Sequence, residues 1–314
     1  MPAIITNKFR VHNSEQFRES FTETAGNTYY LSIGRPMPYG TASRPDNRTE
    51  NEGTDASPIT PTDTENTQNF TYDDMLAAKK IDSSNISIVI PRRNWTTGTV
   101  YDYYRHDYGD YLTGTTTANT SNSGAATLFD ATFYVLTSAR NVYKCLDNNG
   151  NAQSTVEPTG TSTSILSLAD GYKWKYMYTL SASQQANFLS TDFMAVSTNS
   201  TVSAAAVDGA INICKIKTAG SGGTDGTFTG IPIRGDGTGA IATVVVSSGA
   251  VTSVTMTSVG SGYTYGYLPN AKIVSNGSTN LTGAEIDVII EPKGGHGFNA
   301  CLLYTSDAAD DGSR

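Results

Sequence analysis

Apolar residues recur at every second position in several short segments of this chain, each bounded by Gly, Pro, Asn or Asp. That spacing predicts strands, because side chains alternate between the two faces of a sheet. Ala3 to Arg10, Thr28 to Gly34, Ile86 to Ile90, Thr132 to Leu136, Asn141 to Leu146 and Tyr172 to Leu180 read this way. Pro91 is expected to stop the third of them. In the last, Tyr172, Trp174, Tyr176 and Tyr178 share one parity, so a half-buried strand with an aromatic inner face is expected. Helical spacing is rarer. Asn13 and Gln16 suit a capping box before Phe17 and Phe21. Thr71 and Asp74 suit the start of a helix carrying Met75 and Leu76 and ending near Lys80. Ser181 and Gln184 suit a third, with Phe188 and Leu189 inside.

Two stretches lack periodicity. Pro36 to Pro61 reads as a long loop, and Thr113 to Thr127 as a low-complexity, flexible hairpin or loop. From Ala205 the texture changes to Gly-rich strands with an internal repeat. Ala219-Gly220-Ser221-Gly222 echoes Val259-Gly260-Ser261-Gly262, and Gly239-Ala240 echoes Gly283-Ala284. Ser247 to Ala250 is a good hairpin turn, so tandem hairpins are expected. The whole predicts an α+β, β-rich fold. It has multi-domain, β-sandwich-like cores with few short helices, plus a Gly-rich all-β repeat module.

Composition narrows the function. Charged residues make up only 16% and the net charge is −8, so clustered cations for phosphate are lacking and no nucleic-acid partner is expected. No apolar run approaches the ~20 residues that span a bilayer, so no membrane insertion is expected. Cys145, Cys214 and Cys301 are scattered, with neither zinc spacing nor a disulfide framework. Tyr, at 18 copies, suits interfaces and β cores alike.

Candidate chemistry is sparse. Asp102, Arg105, His106, Asp107 and Asp110 form the densest polar cluster, read as a solvated, Tyr-anchored loop rather than a metal or acid–base site. Gly235 to Gly239 lacks the Lys-Ser/Thr and the helix of a phosphate loop, so it reads as a turn. Arg92 and Arg93 follow a strand end and read as a structural or interface ion pair. No catalytic residue, metal site or cofactor is expected. Arg92, Arg93, Trp95, Tyr172 and Trp174 are the candidate interface or structural residues.

Three segments also carry a likeness: Ile4 to Arg10, Ile88 to Trp95, and Asp170 to Tyr178. With Tyr30 to Arg35, Val142 to Asp147 and Val156 to Pro158, they resemble, in the same order, the peripheral baseplate wedge subunit of T-even contractile-tailed phages. The resemblance runs from about Ile4 to Val196. It implies a structural protein, homodimeric, that joins other wedge proteins in the host cytoplasm to build the baseplate that triggers sheath contraction. The Gly-rich repeat departs from it and resembles β modules of other phage structural proteins. The expected division is 1–90, an N-terminal α+β domain; 91–204, a β-rich domain; 205–292, the repeat module; and 293–300, the start of a truncated C-terminal region. Cys301 to Asp311 resembles a translated sequencing adaptor, so 301–314 is expected to be a scar. A receptor- or glycan-binding tail module is the alternative function, and a tail glycosidase using Asp102, Asp107 or Asp110 is the third.

Overall fold

The computed structural model describes residues 7–23, 27–34, 54, 56–57, 65, 72–110 and 116–299. The long loop expected at Pro36 to Pro61 and the scar at 301–314 lie essentially outside these. The chain divides into two units, Met1–Ser87 and Ile88–Arg314, each taken by itself. It is α+β and β-rich with few short helices.

In the first unit, helix α1 (Asn7–Glu19) is followed by strands β1 (Tyr29–Gly34) and β2 (Met75–Ile81). β1 is the strand expected there. Two other expectations fail. Residues 7–10 are helical, so α1 begins before the Asn13 cap. The helix places Phe17 and Phe21 against the Tyr29 ring, at 5.4 and 4.4 Å. The Met75–Lys80 helix is instead β2, paired antiparallel with β1 from Tyr29↔Ile81 to Gly34↔Met75. Met, Leu, Ala and Lys favour helices, but by less than a partner strand can override.

The second unit opens with β3 (Val89–Pro91), paired with β8 (Phe193–Ala195). Pro91 closes β3 from within, opposite Phe193. A four-stranded antiparallel sheet follows, in the order β4 (Tyr134–Leu136), β5 (Asn141–Asp147), β7 (Lys173–Thr179), β6 (Leu166–Ser167). Helix α2 (Ala182–Phe188) starts with the expected capping box of Ser181 and Gln184. Helix α3 (Ser200–Ala204) leads into the repeat.

β7 departs from simple alternation. Val142 pairs with Tyr178 and Tyr143 with Tyr176, which leaves Met177 as a bulge. A bulge shifts every later side chain to the other face. Tyr172, Trp174 and Tyr176 therefore enter one core with Tyr101, Val135, Tyr143 and Cys145. Tyr178 enters another, with Ile90, Phe133, Val142 and Leu180. β7 is thus buried on both faces rather than half-buried.

The Gly-rich region contains β9 (Ile211–Ser221), β10 (Gly226–Pro232), β11 (Arg234–Gly235), β12 (Thr238–Ser247), β13 (Ala250–Ser261), β14 (Gly266–Tyr267), helix α4 (Asn270–Ser275) and β15 (Thr282–Ile290). β12 and β13 form the hairpin expected at Ser247 to Ala250, turning at Ser248 and Gly249, both at positive φ. The two repeats are not tandem hairpins, however. β9, the first strand of copy one, pairs with β15, the last of copy two. β13, the first strand of copy two, pairs with β12, the last of copy one. Each copy completes the other. The expected hairpins would have left both outer strands as open edges.

The echoed glycines explain themselves at these pairings. Gly220 and Gly260 adopt φ +71 and +63. A Cβ on Gly220 would lie 2.8 Å from Ala284 N, and one on Gly260 2.5 Å from Ala240 N. Gly260→Ala would add left-handed strain to a clash with rigid backbone. The expected loss is about 2–4 kcal/mol, read as a lower urea midpoint with unchanged m. A loss within error of zero would refute this account of the ladder.

Candidate functional site

The strand-end corner after β3 is held by backbone carbonyls. Arg92 bonds Asn94 Oδ1 at 2.9 Å and the Ser190 carbonyl at 2.8 Å. Arg93 donates to the Ala131 and Asp130 carbonyls, and its guanidinium lies 5.1 Å from the Tyr134 ring centre. Neither arginine meets a carboxylate among the described residues, so the pair bonds carbonyls rather than an acidic partner. Trp95 is partly buried and donates from its indole nitrogen to Ser154 Oγ at 3.1 Å. Tyr172 and Trp174 are fully buried and stacked, with ring centres 5.5 Å apart. Tyr172 Oη donates to the Ala152 carbonyl at 2.6 Å and accepts from Tyr101 N. Burial pushes its phenol up to about 12.

The Asp102–Asp110 cluster is not the solvated loop expected. Asp102 is 1% exposed. Its carboxylate accepts from Ser123 N and Oγ at 2.9 and 2.6 Å, and from Thr132 N and Oγ1 at 2.7 and 3.1 Å. Burial alone would raise its pKa, but these donors outweigh it and hold the group below the ordinary carboxylate value. The same bonds pin part of the low-complexity stretch, where Ser121 is buried. Arg105 grips Asp107 with two bonds, at 2.8 and 2.7 Å, and reaches Asp287 of β15 at 3.0 Å. His106 Nδ1 accepts from Ile290 N at 3.2 Å. Burial first, and then Arg105, lower the pKa of His106 and favour the neutral ring this bond needs. The segment thus fastens the repeat strands. No group of His, Cys, Asp or Glu suited to a metal occurs among the described residues.

A second buried polar group was not foreseen. Lys144, on β5, is fully buried, with Nζ 3.9 Å from the Tyr104 ring centre and 3.0 Å from His296 Nδ1. His296 N donates to Glu291 Oε2 at 2.7 Å, and Asn212 bonds the other carboxylate oxygen. Lys175 lies opposite Lys144 on β7. The crevice lined by Tyr104, Asn212, Glu291 and His296 has no room for a water-sized guest, so it joins two layers rather than receives a substrate. Burial pushes Lys144 down to about 7 and raises Glu291. Burial, and then Lys144 and Lys175, push His296 well down.

Between about pH 7 and the ordinary lysine value, the folded chain therefore holds fewer protons than the unfolded chain. Stability should rise with pH across pH 7–9, by up to ~1.4 kcal/mol per unit. The cost is fully present below that window. Lys144→Met should flatten the rise and lift the thermal midpoint at pH 7. An unchanged pH slope in this variant would assign the effect to another group.

All these features except the repeat strands and the Glu291–His296 turn lie within residues that a family model also matches. The model described as "Bacteriophage T4, Gp8" matches residues 3–212, about two thirds of the chain. This chain belongs to the Gp8 family. A curated relative in it, "Baseplate wedge protein gp8" of Enterobacteria phage T4, is 26% identical over 209 residues. The alignment covers 62% of this chain and 60% of the relative, so the chain spans about three fifths of that protein's length. The Gp8 match contains the Arg92–Arg93 corner, the Asp102 segment and the aromatic strand β7. It ends at Asn212, inside β9, so nearly all of the Gly-rich repeat falls beyond it. Among the described residues no helix is long and apolar enough to cross a membrane.

Proposed function

We propose that this chain is a structural subunit of a phage tail baseplate wedge. It would assemble with other wedge proteins, as a homodimer, in the host cytoplasm, and contribute to the plate that triggers sheath contraction in the virion. The observation that carries this reading is the Gp8 family match across residues 3–212. The chemistry of the polar clusters is compatible with it. Asp102 and Asp107 are saturated by internal donors, and Lys144 faces no space for a substrate. These groups hold layers together rather than receive a ligand. The candidate residues Arg92, Arg93 and Trp95 would fix a corner near an interface, and Tyr172 and Trp174 the core behind it. Residues 205–292 would be an added module on this framework.

The test is co-expression of the full chain with the other tail genes of its phage. It should co-purify with baseplate subunits and sediment alone as a dimer. A monomer at high concentration that enters no baseplate complex would sink the proposal.

A further inference from the structure

The two copies of the repeat serve as controls for one another. Aligned on Gly220 and Gly260, they place Asp225 and Thr227 of copy one at the positions of Tyr265 and Tyr267 in copy two. Burial agrees along the alignment: Gly226 and Gly266 are half-buried, and the residues on either side of each are exposed. The scaffold therefore tolerates small polar residues at both positions. Yet copy two presents two tyrosines that are 58% and 53% exposed. Nothing in the core requires them.

The surroundings are equally specific. Tyr267 pairs directly with Arg234 across the β11–β14 ladder, so the two side chains leave the same face. Arg234 is exposed and has no hydrogen-bond or ion-pair partner among the described residues. The backbone before Tyr267 is clamped by Asp236, which accepts from Thr264 N and Tyr265 N at 3.0 and 3.1 Å and from Thr264 Oγ1 at 2.5 Å. The tyrosines and Arg234 therefore stand on rigid backbone, which lowers the ordering cost of binding. Between 234 and 239 and between 264 and 267 no exposed side chain is aliphatic. A protein-interface core would be expected to include some.

From this juxtaposition we infer that Tyr265, Tyr267 and Arg234 form a binding platform for an acidic saccharide. Pyranose C–H faces lie on the two phenol rings, and the Arg234 guanidinium takes a sugar carboxylate through paired N–H donors. Thr264 and Thr238 add hydroxyl groups at the rim. The platform lies beyond the residues matched by the Gp8 family, so it is an addition to the wedge role and does not depend on it.

The experiment titrates the full chain with alginate oligosaccharides, with neutral laminarin oligosaccharides as the second arm, by calorimetry. Alginate should bind and laminarin should bind more weakly. Tyr267→Ala and Arg234→Gln should each weaken alginate binding by ~10-fold or more, with the thermal midpoint unchanged because both side chains are exposed. Tyr265→Ala should weaken both sugars alike. The inference is overturned if the unaltered chain binds neither sugar, or if the variants bind as it does. It is also overturned if Tyr267→Ala abolishes entry into a baseplate complex while saccharide binding persists, since the patch is then a protein contact.

Discussion

Trp174→Ala should destabilise the second unit by about 3–5 kcal/mol, the largest loss expected from any single truncation here. Trp174 is fully buried on β7, stacked at 16° on Tyr172 and edge-on to Tyr101 at 5.6 Å. Removing the indole leaves a cavity between rings that strand pairing prevents from closing. Trp174→Phe separates volume from polarity. The Trp174 indole N–H has no hydrogen-bond partner among the described residues. Phenylalanine therefore loses packing but removes a buried, unsatisfied donor, and should cost less than half as much as alanine. Urea unfolding followed by circular dichroism reads both. A loss below ~1 kcal/mol for Trp174→Ala would mean that the aromatic core is not the framework of this unit.

Asp102→Ala should cost nearly as much, about 3–5 kcal/mol. Its carboxylate satisfies two backbone N–H groups and two hydroxyls from segments that are otherwise irregular. Alanine leaves Ser123 N and Thr132 N without that acceptor. The pH dependence has a definite sign. Because the folded-state pKa is lowered, the stabilisation is present above the ordinary carboxylate range and is lost as pH falls through the folded value. The unaltered protein should therefore weaken in acid, and Asp102→Ala should weaken less steeply there. Asp102→Asn should fall between the two, since its amide can accept on one side only. Equal acid sensitivity of Asp102→Ala and the unaltered chain would remove Asp102 from this role.

The sequence was most legible where local pattern and tertiary environment agree. β5 and β7 alternate, the Ser181–Gln184 box caps α2, and Ser248–Gly249 turns the β12–β13 hairpin. It misled where a distant partner outweighed local preference. Met75 to Ile81 has helix-forming residues and lies in a strand because β1 pairs with it. The Met177 bulge moves Tyr178 to another core, and nothing near it in sequence marks the extra residue. The aromatic candidates Tyr172 and Trp174 were visible, but their full burial depended on the second core layer. The Lys144–His296 contact joins residues 152 apart. Periodicity places Lys144 in a strand but cannot show what covers it. The Asp102 cluster was visible as composition, and its meaning came only with its partners: Ser123, Thr132, Asp287 and Ile290.

The crossed repeat also sets an order of events during synthesis. β9 leaves the ribosome early in the module, yet its partner β15 is among the last strands made, with Ser221 meeting Thr282. The β12–β13 hairpin can close at once, because its strands are neighbours. Until β15 arrives, β9 has an unpaired edge and its buried residues, including Ile211 and Ile213, lack part of their cover. Closing that ladder is a high-contact-order step, slow relative to the hairpin and prone to capture by a neighbouring chain. The half-made module is therefore the aggregation-sensitive stage of this protein, and slower translation through 222–281 should lower the yield of soluble chain.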